Sequence, residues 1–232
     1  MGLGWVTLKV GHNYLYVKIM ADSSLLTPSP AFPGRTLLES EEALDPRVKR
    51  TRQLLRQALV SLMAEKAFEE ISVQDLAERA TVNRVTFYDH FDDKYALFDS
   101  LIGESFRELL LARLAEGKGC CRDKVLCPLF LALCDYLAKL DSCCKQAKAR
   151  SQSLFAPLVE CRVKALLCDL LRARLEEEEP GRLRTSPALG ATLAGWSLYG
   201  AAIEWCKAGQ RPAPEDLARD VLPAVAAALY KE

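Results

Sequence analysis

"ISVQDLAERATVNRVTFYDHFDDKYALF", residues 71–98, contains two short helical patterns separated by a three-residue break. Ser72 opens the first pattern as the N-cap of a capping box, and an apolar stripe follows it over two turns. Asn83 caps the second pattern, in which Phe87 and Phe91 form a narrow apolar face. Two short helices joined by "TVN" are the ingredients of a helix-turn-helix.

The second helical pattern leaves its remaining side chains on the outward side. These are Arg84, Val85, Thr86, Tyr88, Asp89 and His90. Such a face suits a DNA major groove, because arginine pairs with guanine, a threonine methyl touches a thymine methyl, and tyrosine and histidine donate to phosphates. Lys94 falls in the first turn of the next helix, where its charge and the helix N-terminus both favour a phosphate.

A basic segment precedes this motif. Residues 47–56 contain no acid and five cations, Arg47, Lys49, Arg50, Arg52 and Arg56. Next to DNA, such an arm adds salt-dependent affinity that does not depend on sequence. A solvated helix face is the alternative interpretation of a charge run. The neighbouring helix-turn-helix pattern favours the DNA-binding interpretation.

Residues 47–106 resemble the N-terminal domain of the tetracycline-repressor (TetR/AcrR) family of bacterial regulators. The resemblance is carried by Thr86-Phe87-Tyr88, His90-Phe91 and Lys94. It implies that the helix beginning near Asn83 is the recognition helix and that Thr86, Tyr88, His90 and Lys94 contact DNA. Two residues depart from the family pattern: Val85 stands where a small residue is usual, and Asp89 adds a negative charge to the DNA-facing helix.

The sequence and the resemblance together predict one set of DNA contacts. The set is Arg47, Lys49, Arg50, Ser72, Asn83, Arg84, Val85, Thr86, Tyr88, His90 and Lys94.

The rest of the chain is predicted to be helical, with further helices near 122–139, 155–178, 187–208 and 214–230. We therefore predict an all-α fold, with a helix-turn-helix DNA-binding domain at 46–93 and a helical effector-binding and dimerisation domain at 94–232. Residues 1–45 are predicted to be a disordered leader, and Met20 is the favoured true start. Strand-like residues around a Gly-His-Asn turn leave an isolated hairpin as an alternative for the first part of that leader.

Composition excludes several classes of protein. Lys and Arg number 31 and so do Asp and Glu, so the net charge does not indicate nucleic acid or an anionic membrane. The uncharged run at 185–203 is rich in small residues rather than Leu or Ile, which does not favour a membrane span. No secretory signal is recognisable, and nine cysteines without such a signal indicate reduced thiols. We expect a cytoplasmic protein that is not an enzyme and needs no metal or cofactor.

The cysteines leave two interpretations open. Cys120, Cys127 and Cys134 recur every seven residues, as do Cys161 and Cys168. Such cysteines serve as small buried apolar residues on helix faces. The alternative is a thiol or metal sensor in the stretch from 120 to 144.

Two further residue sets complete the predicted sites. A pocket for a small, mainly apolar effector is predicted from Phe130, Tyr136, Phe155, Trp196 and Tyr199, although aromatic residues at helical spacing also suit a plain core. A dimer interface is predicted from the apolar stripe Leu217, Val221, Val225 and Ala228, with small residues on the preceding helix allowing close approach.

The function expected from these features is transcriptional regulation. The chain is predicted to be a homodimeric repressor that a small effector releases from double-stranded DNA carrying a palindromic operator. A thiol-responsive regulator of the same fold and a helical interaction module that binds no DNA are the alternatives.

Overall fold

A computed structural model describes residues 5–10, 13–18, 45–116, 125–147 and 155–231, with side chains described for 45–116, 125–141 and 157–231. Nearly all of this is helix, so the predicted all-α class is confirmed. The helices are α1 (Pro46–Glu65), α2 (Val73–Arg79), α3 (Arg84–Tyr88), α4 (Lys94–Glu116), α5 (Leu126–Ala147), α6 (Phe155–Glu176), α7 (Pro187–Lys207) and α8 (Pro214–Leu229). A short 3₁₀ turn, Phe68–Glu70, lies between α1 and α2.

Two strands pair within the first of two compact units, Met1–Phe32. β1 (Trp5–Val10) and β2 (Asn13–Lys18) run antiparallel, with Trp5 opposite Lys18 and Val10 opposite Asn13. An isolated hairpin is the alternative drawn from the strand-like composition, and the disordered leader over residues 1–45 stays a prediction. The start at Met20 stays a prediction. All helices belong to the second unit, Pro33–Glu232.

The start of α1 follows directly from its sequence. The Asp45 side chain accepts a hydrogen bond from the Arg47 N–H at 2.7 Å, and Pro46 occupies the first helical position. Leu55 and Leu59, one turn apart, are completely buried, so this stripe forms the inner face of α1. The helix ends at Glu65.

Phe68 joins the first three helices to α4. Its ring is 2% exposed and lies 5.1 Å from the Phe98 ring and 5.4 Å, edge-on, from the Tyr95 ring, centroid to centroid. α4 also packs on α1, α5 and α6. A single helix of 23 residues therefore contributes to the core on both sides of the predicted domain boundary at residue 93, and that boundary stays a prediction.

α5 is the central helix of the C-terminal half, packed against α4, α7 and α8. Phe130, Leu133 and Cys134 are completely buried there. α6 and α7 pack closely against each other because Gly195 has no side chain: a Cβ at that position would lie 3.0 Å from the Cys168 Sγ. No helix in the described segments is long and apolar enough to cross a membrane.

Arg113, near the C-terminal end of α4, ties three helices together. Its guanidinium donates to both carboxylate oxygens of Asp135 on α5, at 2.6 and 2.7 Å, and to Glu215 on α8 at 3.2 Å. These carboxylates raise the pKa of Arg113. A bidentate, partly buried ion pair of this kind fixes the relative orientation of the helices and also stabilises the fold.

Asp99 and Arg162 form a second, less well satisfied ion pair between α4 and α6. The Arg162 Nε lies 2.8 Å from Asp99 Oδ1, yet neither atom has a hydrogen-bond partner, so the attraction is Coulombic without good hydrogen-bond geometry. Burial outweighs the attraction of Arg162 and raises the pKa of Asp99 from 3.8 to about 6.

This pair predicts a specific dependence of stability on pH. The pKa of Asp99 is about 6 in the folded protein and 3.8 in the unfolded chain. Between these values the folded state binds the proton more strongly, so the unfolding free energy falls as the pH rises from about 4 to about 6. Between pH 4 and pH 6 we expect the unfolding free energy of the wild type to fall by about 1–2 kcal/mol relative to Asp99→Asn. Urea unfolding followed by circular dichroism measures the difference.

Asp92→Asn, which removes an exposed carboxylate close by, is the control and should track the wild type. Parallel pH curves for wild type and Asp99→Asn would show that Asp99 is charged in the folded protein across this range.

Candidate nucleic-acid interface

The first helix of the predicted motif is capped as its sequence indicates. The Ser72 Oγ accepts from the Asp75 N–H at 3.1 Å, and the Asp75 carboxylate accepts from the Ser72 N–H at 2.8 Å. Lys66 lies 2.8 Å from the same carboxylate. Hydrogen bonds from Lys66 and Ser72 hold the pKa of Asp75 well below its ordinary value. This carboxylate therefore stays charged and fixes the start of α2.

The end of α2 is anchored to α1 by Arg79. Its guanidinium donates to the two carboxylate oxygens of Glu65 at 2.8 and 2.7 Å. The pair is exposed, so its contribution to stability is small, but its paired geometry sets the angle between the two helices.

The break between the two helices is a tight turn. Thr81 has a φ of 54°, a left-handed conformation that costs a β-branched residue energy. The Val82 N–H donates to the Ala77 carbonyl at 2.9 Å, which closes the end of α2. Asn83 then caps α3 by accepting the Val85 N–H at 3.0 Å. The "TVN" stretch thus performs the turn that the sequence predicted.

Two aromatic rings hold α3 in place from its inner side. Phe87 is completely buried and Phe91 is 6% exposed, with ring centroids 6.1 Å apart. The Arg52 guanidinium lies 5.3 Å above the Phe91 ring, which joins α1 to the end of the motif. The sequence assigned both phenylalanines to this inner face.

The outer side of α3 carries its exposed large side chains. Val85 is 65% exposed and Tyr88 47%. The Arg84 guanidinium donates to the Tyr88 hydroxyl at 3.3 Å and lies 5.7 Å from the centre of its ring. Tyr88 therefore orients Arg84 as well as presenting its own hydroxyl.

The other predicted contacts take different positions. Arg47 and Arg50 are exposed on the first turns of α1, and Lys49 is half-buried. Thr86 on α3 and His90, two residues after α3 ends, are half-buried.

Ser72 and Asn83 act first as helix caps. Each side-chain oxygen accepts a backbone N–H at the start of its helix. A DNA contact at either residue stays a prediction.

Lys94 differs most from its predicted role. Its ammonium donates to three backbone carbonyls, those of Phe68 at 3.1 Å, Glu69 at 2.9 Å and Ile71 at 2.9 Å. A lysine has three donor hydrogens, so all are used within the protein. Burial lowers its pKa. The sequence could not reveal this role, because the three carbonyls converge on the ammonium only in the folded protein.

This geometry coincides with a known protein family. Residues 55–101, from the middle of α1 to the first turns of α4, match the family described as bacterial regulatory proteins, tetR family. Over these residues the chain is similar to the tetR family, and the resemblance stated from the sequence is confirmed there. The matched family comprises regulators rather than enzymes.

Two curated relatives each match part of the chain. The HTH-type transcriptional regulator YxbF of Bacillus subtilis is 36% identical over 81 residues, 34% of this chain and 21% of YxbF. DhaS of Lactococcus lactis, named a transcriptional activator of the dhaKLM operon, is 32% identical over 60 residues, 26% of this chain and 32% of DhaS. The matches therefore span less than a third of each relative's length.

Solved structures resemble a larger part of the chain at lower identity. NalD of Pseudomonas aeruginosa, a secondary repressor of a multidrug efflux pump, is 20% identical with a TM-score of 0.43, covering 80% of this chain and 99% of NalD. A tetR-family regulator from Shewanella sp. PV-4 is 17% identical with a TM-score of 0.46, covering 78% and 99%.

Three residues of the predicted effector pocket, Phe130, Tyr136 and Tyr199, are buried, and the Tyr136 ring lies edge-on to Phe106 at 5.9 Å. Trp196 is 61% exposed, which does not favour its place in an enclosed pocket. The effector pocket stays a prediction. The Phe155 side chain lies outside the described residues.

A cavity of about 380 Å³ lies elsewhere, in the groove between α1 and α4. Its lining residues are Gln53, Arg56, Gln57, Ser61, Glu104, Ser105 and Glu108, with Val60 and Leu101. None of them belongs to the predicted effector pocket.

The predicted dimer stripe on α8 is divided between two faces. Val225 is 7% exposed and belongs to the protomer's own core, which does not favour its place in an interface. Leu217 and Val221 are half-buried and Ala228 is exposed. The dimer interface stays a prediction.

The cysteines that the structure describes fit the apolar interpretation best. Cys127 and Cys134 are completely buried in α5, and burial raises the pKa of Cys134 to about 12. A thiol held protonated in this way is a poor nucleophile. Cys161 is exposed on α6. The side chains at 120, 121, 143 and 144 lie outside the described residues, and no cluster of three or more metal-ligating groups occurs in the described segments.

The position of Lys94 predicts a structural role. Lys94→Met removes the ammonium but keeps the stem of the side chain, so the carbonyls of residues 68, 69 and 71 lose their donor. We expect the unfolding free energy to fall by about 2 kcal/mol, measured by urea unfolding.

Lys139→Met is the matched control, because Lys139 is exposed on α5, and should change stability by less than about 0.5 kcal/mol. Equal effects of the two substitutions would argue against the three-carbonyl contact.

Proposed function

We propose that this protein is a cytoplasmic DNA-binding transcriptional regulator that reads its operator with α3. One observation carries the proposal: a five-residue helix, fixed from behind by the buried Phe87 ring, presents Arg84, Val85 and Tyr88 outward within the segment that matches the family. In a helix-turn-helix, the N-terminal residues of the second helix contact base edges.

The proposed contacts divide into two kinds. Arg84 and Val85, at the start of α3, are placed to meet bases, whereas Tyr88, Thr86 and His90 lie where backbone contacts are expected. Arg47, Lys49 and Arg50 add phosphate contacts from the start of α1. Lys94 acts indirectly, because its ammonium braces the segment from Phe68 to Ile71 that precedes α2.

Arginine and tyrosine in α3 act together in this proposal. The contact between the Arg84 guanidinium and the Tyr88 ring limits the rotamers of the arginine before DNA binds. Less side-chain freedom is then lost on binding, so a contact from Arg84 to guanine costs less entropy.

A palindromic operator requires two copies of this motif, and α7 supplies the surface for pairing. Leu189, Leu193 and Trp196 are 52%, 50% and 61% exposed, and Gly200 follows with no atom near its Cβ position. Their spacing places them on one face of the helix. Exposed apolar residues in such a continuous row are typical of an interface. With Leu217, Val221 and Ala228 of the adjacent α8, two subunits would form a four-helix contact.

Repression with release by a small effector is the favoured form of regulation. α4 supports it, because this helix packs on α1 beside the DNA-binding motif and on α5 and α6 in the C-terminal half. A ligand that shifts α4 would alter the spacing of two paired recognition helices, provided that it binds the shifted state more tightly. An apolar molecule among the helices of residues 125–208 stays the proposed effector.

A thiol-responsive regulator is less well supported, because the Cys134 thiol is buried and its pKa is raised to about 12. A helical module that binds no DNA would leave the outward α3 residues without a partner.

The DNA contacts predict different effects for different substitutions. Selection from random double-stranded DNA should yield a two-fold symmetric site. Arg84→Ala should relax base preference at one position of each half-site, with a loss of about 1–3 kcal/mol on the preferred sequence. Lys49→Ala should weaken binding to all sequences and lower the salt slope by about one, and Lys94→Ala should leave that slope unchanged.

Fluorescence anisotropy at several salt concentrations measures all three variants. Selection that enriches no sequence, from protein shown to be folded, would refute the regulator proposal.

The proposed dimer predicts that Trp196→Glu gives a monomer at micromolar concentration, because two carboxylates would be buried in the centre of the contact. The folded protomer should tolerate the change, since Trp196 is exposed and Lys164 lies only 5.3 Å from its ring. Sedimentation velocity measures the mass. Glu177→Lys, an exposed charge change at the end of α6, is the control; a Trp196→Glu protein that stays dimeric would refute this interface.

A further inference from the structure

No structural role within the protomer accounts for the exposure of the Val85 side chain. It is 65% exposed, more than any other large apolar side chain in the described segments. Trp196, Leu189 and Leu193 belong to the proposed dimer contact, and Val60 lines the groove between α1 and α4. Valine also favours helix less than alanine does. Contact with a partner outside the protomer would therefore explain a valine at this exposed position.

The Val85 side chain is held rigidly. Its own N–H donates to the Asn83 side chain at 3.0 Å, and the helix that carries it is fixed by the completely buried Phe87. Branching at Cβ leaves valine one strongly preferred side-chain rotamer in a helix. The two methyl groups consequently occupy defined positions beside Arg84, on the outward face of α3.

The major groove offers one apolar group to such a side chain. Among the base edges, only thymine carries a methyl group there, whereas the others present hydrogen-bond donors and acceptors. Valine over a cytosine or adenine amino group would cover a donor without offering an acceptor, which is unfavourable. Attraction to the thymine methyl group and rejection of an amino group thus both favour thymine at the contacted position.

We propose that Val85 is a specificity-determining residue that selects a T·A base pair by contact with the thymine C5-methyl group. The inference rests on the proposed DNA-binding function and specifies one of its base contacts. The selected base pair occurs once in each half-site, next to the pair that Arg84 reads, because the two residues are consecutive at the start of α3.

Thr86 is the competing source of a methyl contact, since it follows Val85 and also carries a methyl group. It is half-buried, however, and its hydroxyl suits a phosphate or a base edge. The experiment must therefore separate the two residues. Val85→Ala removes both valine methyl groups, and Thr86→Ser removes the threonine methyl group while keeping the hydroxyl.

The test begins with the full chain and random double-stranded DNA, from which the preferred site is selected. Each thymine of that site is then replaced singly by deoxyuridine, which deletes the C5-methyl group and keeps base pairing. For the wild type, we expect one replacement in each half-site to weaken binding about fourfold, the equivalent of exposing one methyl group. Val85→Ala should bind the thymine and deoxyuridine sites equally, and Thr86→Ser should keep the wild-type difference.

The outcomes separate the two proposals. Enrichment of a site in which no deoxyuridine replacement affects the wild type, or in which Thr86→Ser rather than Val85→Ala removes the effect, overturns the role of Val85 while DNA binding stands. Failure to enrich any site overturns DNA binding itself. Circular dichroism verifies that Val85→Ala stays folded, as its exposed position predicts, and selection repeated with this variant should lose the T·A preference at that one position.

Discussion

Burial of Phe87 is the constraint on which the arrangement of the DNA-binding motif depends. α3 has five residues, far fewer than an isolated helix needs to persist in water. Its position is therefore set by packing of the Phe87 and Phe91 rings against the neighbouring helices and not by helix propensity. The outward directions of Arg84, Val85 and Tyr88 follow from this anchoring, because residues on a single short helix rotate together.

The segment that supports α3 is fixed at its other end by Lys94. Its ammonium joins the carbonyls of residues 68, 69 and 71, where the backbone passes from α1 to α2 and few regular hydrogen bonds are available. α4, which begins at Lys94, continues as far as the Arg113 contact with Asp135 and Glu215. α4 thus connects the segment that precedes α2 to α5 and α8. A movement of α4 at one end would therefore be transmitted to the contacts at its other end.

Two groups of ionisable residues serve different purposes in this framework. Asp75 is held charged by Lys66 and Ser72 at the start of α2, where its carboxylate completes a helix cap. Asp99 is held protonated up to about pH 6, because burial outweighs a poorly aligned arginine. Asp75 fixes the local geometry of a helix start at the surface. Asp99 lies at the contact between α4 and α6, where a movement of either helix would change its environment.

The sequence by itself determined what depends on neighbours a few residues away. The caps at Asp45, Ser72 and Asn83, and the inward side of Phe87 and Phe91, follow from spacing that any short helix imposes. Tertiary structure alone decided the direction of Lys94, since the carbonyls that it meets lie 23 to 26 residues earlier. It also decided that Val225 faces inward and Trp196 outward, because only the placement of the neighbouring helices determines which apolar residues of α7 and α8 are covered.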